Sequence, residues 1–151
     1  MATLPYWTPG NIAEIKLSGA WSYAQVIEAP LMGFYAPRPE KISSVSSLVG
    51  EDFQFQIWVM KYAIGKKGWP LIGHLDLTEK QKNGPWFSKK DQISKRLTKY
   101  HSITSEEIAS NMEECLPLER AAVWDPVHIE SRLLDAMTGV PNKWVECLKL
   151  K

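Results

Sequence analysis

Two alternating runs joined by a tight glycine turn constrain this chain more than any other feature. "NIAEIKL" (Asn11–Leu17) sets Ala13, Ile15 and Leu17 on one side, with Glu14 and Lys16 on the other. That period of two is the signature of a half-buried strand. Ser18-Gly19 is a two-residue hairpin connection. "AWSYAQVIE" (Ala20–Glu28) then resumes the alternation, with Trp21, Tyr23, Gln25 and Ile27 opposite Ala20, Ser22, Ala24 and Val26. Large residues on one face and small ones on the other suit a strand whose two sides meet different neighbours. Trp21 and Tyr23 share their face with Ile27, so these aromatics are expected mainly in a core.

The rest of the chain extends a β-rich pattern. Pro30 breaks the run, and "LMGFYA" predicts a third strand. The Pro- and Ser-rich stretch 37–50 reads as a loop with a short helical turn. "FQFQIWVMKYAI" (53–64) is apolar on both faces from Trp58 onward, which predicts a central strand covered on both sides. After the Gly65–Gly68 turn, Trp69, Leu71, Leu75 and Leu77 alternate, and Pro70 predicts an edge or a bulge. Residues 78–107 read as a basic loop pinned by Trp86 and Phe87. Within it, Ile93, Leu97 and Tyr100 fit either a short strand or a short helix. Ile108, Met112 and Cys115 fall at helical spacing, stopped by Pro117.

The C-terminal third carries a marked helix at about 126–138. Asp125 is its N-cap, Pro126 its first residue, Gly139 its left-handed stop, and Pro141 lies just beyond. Its expected apolar stripe is Ile129, Leu133, Ala136 and Met137. "KWVECLKL" is expected to close as a strand. The predicted fold is α+β and mostly β: a bent antiparallel sheet or partly open barrel with a C-terminal helix packed on it. Residues 1–151 are expected to form one domain.

Composition narrows the function less than the pattern narrows the fold. Charged residues are 23% and hydrophobic residues 44% of 151, which favours a folded chain. Neither a signal peptide nor a membrane-length apolar run is visible, and Cys115 and Cys147 are expected as two buried thiols in a reducing cytosol. The net charge of +1 conceals a split. Residues 1–60 hold five acidic and three basic residues, 61–100 hold three and ten, and 101–151 hold nine and five. Such asymmetry can steer a partner.

No pattern for catalysis emerges. Phosphate-binding glycine loops and nucleophile elbows are missing, and His74, His101 and His128 stand apart without metal-ligand spacing. Glu113 and Glu114 beside Cys115 would raise its thiol pKa and blunt it as a nucleophile. No catalytic, metal or cofactor residue is assigned, and no cofactor is expected. An unrecognised carboxylate pair is the one enzymatic reading left open. The basic stretch 61–100, with Lys66, Lys67, Lys89 and Lys90 among Tyr62, Trp69, Trp86, Phe87 and Tyr100, offers an alternative as a single-stranded nucleic-acid-binding module. Against it, Trp69 alternates with Leu71, Leu75 and Leu77, so its face is a core face.

Several pieces in order carry a likeness: Gly10-Asn11, "IAEIKL", a Gly turn, "SYAQVI", "GFY", "FQIWVMKYAI", a W-x-L-I-G strand, "WF-x-K" and "LERAAVWDPVHIESRL". Together they resemble the immunity protein 26 family of bacterial polymorphic toxin systems, over Gly10–Phe87 and Leu118–Trp144. Asn11 stands where an Asp is expected and Ala13 where an aromatic is usual. The resemblance implies a mostly-β, non-enzymatic cytoplasmic protein that binds and neutralises a cognate toxin encoded beside it. It implies structural roles for Trp58, Gly73, Trp124 and Asp125. Binding of this kind needs about 800 Å² per partner and complementary charge. Glu106, Glu107, Glu113 and Glu114 are the residues expected to meet a basic toxin surface such as a nuclease groove.

Overall fold

A computed structural model describes residues 6–150. The expected hairpin forms as β1 (Asn11–Leu17) and β2 (Ala20–Glu28), with Leu17 opposite Ala20 and Ile12 opposite Gln25. Gly19 holds φ +75°, the left-handed conformation the tight turn requires. β3 (Leu31–Phe34) follows a cis Ala29–Pro30 bond and pairs with β2. β4 (Phe55–Val59) pairs with β3, and β5 (Leu71–His74) pairs with β1. β5 is an edge strand with a register shift against Ile12/Ala13, so the expectation drawn from Pro70 holds.

Helix α1 (Glu79–Asn83) starts at a Thr78–Gln81 capping box. A second sheet follows: β6 (Trp86–Lys90), β7 (Leu97–His101) and β8 (Glu107–Ala109). Then come α2 (Met112–Cys115), β9 (Val123–Trp124), α3 (Pro126–Thr138) and α4 (Lys143–Leu148). The large sheet has the order β5-β1-β2-β3-β4-β9 and the small sheet β6-β7-β8. The fold is α+β and mostly β, as expected. Only β9 departs from antiparallel pairing, running parallel to β4.

Both faces of the large sheet are covered. On one, Ala13, Ile15, Val26, Met32, Phe34 and Ile57 pack with Ile129 and Leu133 of α3. On the other, the 37–53 loop brings Leu48, Ile42, Val45 and Phe53 onto Ile12, Tyr23 and Tyr35. Gly33 permits this cover, because a Cβ there would lie 2.5 Å from the Phe53 ring. The small sheet docks nearby, where Phe87 packs with Ile27, Leu31 and Trp58. Each large side chain buried in this way contributes roughly 1.5–3 kcal/mol.

Several local expectations are corrected. The strand expected over 53–64 spans only Phe55–Val59, and the strands buried on both faces are β2 and β3. Met60 leaves β4 by bonding its N–H to Trp124 O, and a 3-10 turn at Lys61–Ala63 follows. Glu14, read as solvent-facing, is buried because the 37–53 loop covers its side of β1. It accepts from Tyr23 Oη at 3.0 Å and faces Lys41 Nζ at 3.6 Å. Residues 78–107 are not a loop but one helix and two strands. Ile108 is not helical: it pairs with Lys99, and Asn111 caps a helix that begins only at Met112.

At the C-terminus, Asp125 and Gly139 bound α3 as expected. Ala136 and Met137 are exposed on its last turn, and Leu134 packs against the core with Trp144, Val145 and Leu148. Those last three lie on α4, where a strand was expected. Asn142 caps this helix by accepting from Trp144 N and Val145 N, and the 144/145/148 spacing places one apolar face inward. Cys147 is therefore exposed, while Cys115 is buried.

Candidate functional site

Of the four nominated glutamates, Glu106 and Glu107 lie at the start of β8 and Glu113 and Glu114 on α2, and all are exposed. Two turns close the small sheet, one at each end of β7. Asp91 closes the β6–β7 connection, accepting Ile93 N and Ser94 N at 2.8 Å each. These N–H bonds, Ser94 first, hold its carboxyl below the usual range. His101 Nδ1 accepts Ile103 N and Thr104 N at 3.2 Å and so carries a lone pair in the β7–β8 turn. α2 follows β8 directly. Its Cys115 thiol lies 3.7 Å from Thr98 O, anchoring the helix to β7.

The carboxylates divide into two kinds. Glu107 is engaged within the sheet: Thr98 Oγ1 donates to it at 2.7 Å and Lys89 Nζ stands 3.6 Å away. Glu114 accepts from Ser110 Oγ at 2.9 Å. Glu106 and Glu113 form no salt bridge among the described residues. Glu119, the fifth carboxylate of the region, is committed elsewhere. It pairs in two bonds with Arg132, whose guanidinium sits 3.7 Å over the Phe55 ring.

The basic stretch 61–100 does not form one groove. Lys61, Lys66 and Lys67 follow β4, Lys80 and Lys82 lie on α1, and Lys89, Lys90 and Lys99 lie on β6 and β7. Several are already paired, Lys80 to Asp52, Lys82 to Glu79 and Lys89 to Glu107. The aromatics needed for stacking are split between environments. Trp69 and Phe87 are buried in different cores. Tyr62 is exposed but donates to Asp125 Oδ2 at 2.8 Å. Asp125 is held below its usual pKa by Val127 N–H and then by this tyrosine.

Two cavities flank α4. One, about 340 Å³, is lined by Met60, Val123, Trp124, His128, Trp144 and Cys147. The other, about 380 Å³, includes Glu119, Arg120, Trp124 and Lys149. Their charged groups are all used in the wall: Arg120 donates to Leu148 O, Lys149 pairs with Glu146, and Glu119 holds Arg132. The histidines remain apart, with His128 stacked on Trp144. No cluster of His, Cys, Asp and Glu suited to a metal ion occurs among the described residues. None of their helices is long and apolar enough to cross a membrane.

Sequence reading missed two features here. Glu14 is a buried carboxylate, and only the tertiary cover of the 37–53 loop makes it one. The β8 edge was hidden inside an apparent helical spacing; Ile108 beside Glu107 was the available signal.

The β1–β2 hairpin with β3, β4 and β5 joins most of the segments that carried the family likeness into the large sheet, while "WF-x-K" lies in β6 of the small one. Arg120 bridges to Ser88 in β6, and Val123–Trp124 pairs with β4, so the 119–124 segment ties the two sheets together. No curated protein and no solved structure matches the chain. The family model described as immunity protein 26 matches residues 8–99, more than half of the chain and nearly all of the large sheet, and the chain belongs to the immunity protein 26 family.

Proposed function

We propose that this protein is a single-domain, cytoplasmic immunity protein that neutralises a cognate bacterial toxin by covering its working surface. It performs no bond-making of its own. Family membership supports the general role. The observation that carries the binding mode is two exposed carboxylates without a salt bridge among the described residues, Glu106 just before β8 and Glu113 on α2. Exposed carboxylates in that state gain when a basic surface approaches. A nuclease toxin holds phosphate on such a surface, so these carboxylates would take the place of its substrate.

Glu107 and Glu114 complete the acidic set, and their internal bonds hold them in place. The test is direct. The product of the neighbouring toxin gene, mixed with this protein, is expected to form a stoichiometric complex with salt-sensitive affinity, measured by titration calorimetry. Absence of binding at micromolar concentration would overturn the proposal.

A further inference from the structure

We infer that the open edge of β8 is the recognition strand: it receives an extended basic segment of the toxin as a fourth strand of the small sheet. This rests on the toxin-binding reading and adds its docking mode. β8 ends the sheet order β6-β7-β8, and all three of its residues are exposed. Its partner groups follow from the register, in which Thr98 faces Ala109, Lys99 faces Ile108 and Tyr100 faces Glu107. His101 N donates to Glu106 O at 2.8 Å, and Ser110 N donates to Leu97 O at 3.0 Å.

Backbone groups point to alternate edges along an antiparallel strand. Ile108 therefore turns its N–H and C=O toward β7, as Glu106 turns its C=O and Ser110 its N–H, while the Glu106 N–H donates to Thr104 Oγ1 at 3.3 Å. Glu107 and Ala109 turn theirs away from it. No strand lies on that side among the described residues. The result is a short row of open donors and acceptors, the template on which a foreign strand adds. The side chain of Ile108, 38% exposed, lies beside it and gives the incoming strand an apolar contact.

Charge selects the occupant. A second copy pairing edge to edge would gather Glu106 and Glu107 of both molecules along one seam, and like charge opposes that. A basic strand meets the same glutamates favourably. A three-residue strand is too short to bind by ladder bonds alone, so the flanking carboxylates and the strand edge act together.

Ala109→Pro tests this cleanly. Proline deletes the outward N–H of Ala109 and leaves every donor of the β7 ladder in place, and proline is tolerated on an edge whose N–H faces solvent. The expected result is an unchanged unfolding midpoint with affinity for the neighbouring-gene toxin weakened at least tenfold. Ala109→Ser, which keeps the N–H, is expected to bind like wild type. Wild-type affinity in Ala109→Pro would overturn the strand pairing and leave toxin binding intact. No binding by wild type would overturn both.

Should Ala109→Pro fail to fold, amide exchange in the wild-type complex decides. Slowed exchange at Glu107 and Ala109 supports the proposal, and unchanged exchange there overturns it. Sedimentation adds a further outcome: a free-protein dimer that Ala109→Pro abolishes would assign the edge to a second copy and overturn the toxin strand.

Discussion

The large sheet and the small sheet are built from similar local material and end in opposite states. β2 is buried along nearly its whole length, with layers on both faces. β7 is half-buried throughout, and β8 is exposed throughout. The large sheet has spent its surface on packing. The small sheet is anchored through Phe87 against Trp58, the buried Cys115 holds α2 to it, and no strand covers its β8 edge among the described residues. A binding protein needs both: a rigid platform, and a strand whose backbone is not yet used. The family match ends at Lys99, inside β7, before the acidic set begins.

Matched truncations should separate the two regions most strongly. Phe34→Ala removes a ring fully buried between Phe55 and Trp69 and is expected to cost about 3–5 kcal/mol in urea unfolding. Ile108→Ala on the open edge is expected to cost less than about 1 kcal/mol. Equal costs would break the comparison.

The second test exploits the polar layer beneath the 37–53 loop. Burial pushes the Tyr35 phenol up to about 12, and burial likewise raises Tyr23. Their neutral forms are favoured in the folded state. The stability they contribute is complete below the ordinary tyrosine pKa of about 10 and is lost as pH rises toward 12. For Tyr35 the loss is of order 2 kcal/mol. Unfolding followed across that window should show it, and Tyr35→Phe should flatten the slope.

A smaller effect is expected at the start of α3. Asp125 Oδ1 accepts Val127 N at 2.9 Å, so Asp125→Ala should cost about 1 kcal/mol. Its carboxyl is held below the usual value, so this stability is present above the ordinary aspartate pKa and disappears as pH falls through the lower folded value. The variant should therefore show a shallower acid limb in a pH series of melting temperatures.

Least of all should stability respond to the double change Glu106→Gln and Glu113→Gln, which should stay within about 0.5 kcal/mol of wild type. The same variant should associate with the toxin more slowly and with weaker salt dependence, read by stopped-flow mixing. Altered stability with unaltered association would reverse the division of labour between the sheets.

How much was legible follows from how local each signal is. The β1–β2 hairpin could be read because every second residue is apolar and Gly19 supplies the turn. Helix α3 could be read because Asp125, Pro126 and Gly139 mark both ends within the segment itself. β6 and β7 could not. "WFSKK" carries a lysine on each face, and "LTKYH" sets Leu97 on the same face as Lys99 and His101, so strand alternation is lost where neither face is simply core or solvent. The acidic residues were visible as types, but the division into engaged Glu107 and Glu114 and open Glu106 and Glu113 depends on Lys89, Thr98 and Ser110.

The sequence by itself determined the hairpin and the capped C-terminal helix, because each rests on contacts or spacings within a few residues, and the β-rich class and the family, because the order of such local pieces is kept along the chain. Only the tertiary structure decided that Glu14 is buried, that Cys147 is exposed, that α4 is a helix and that β8 ends a sheet with its outer backbone groups free. Those outcomes depend on which distant segment arrives to cover a side chain or fill a hydrogen bond, and the chain's local pattern does not encode that arrival.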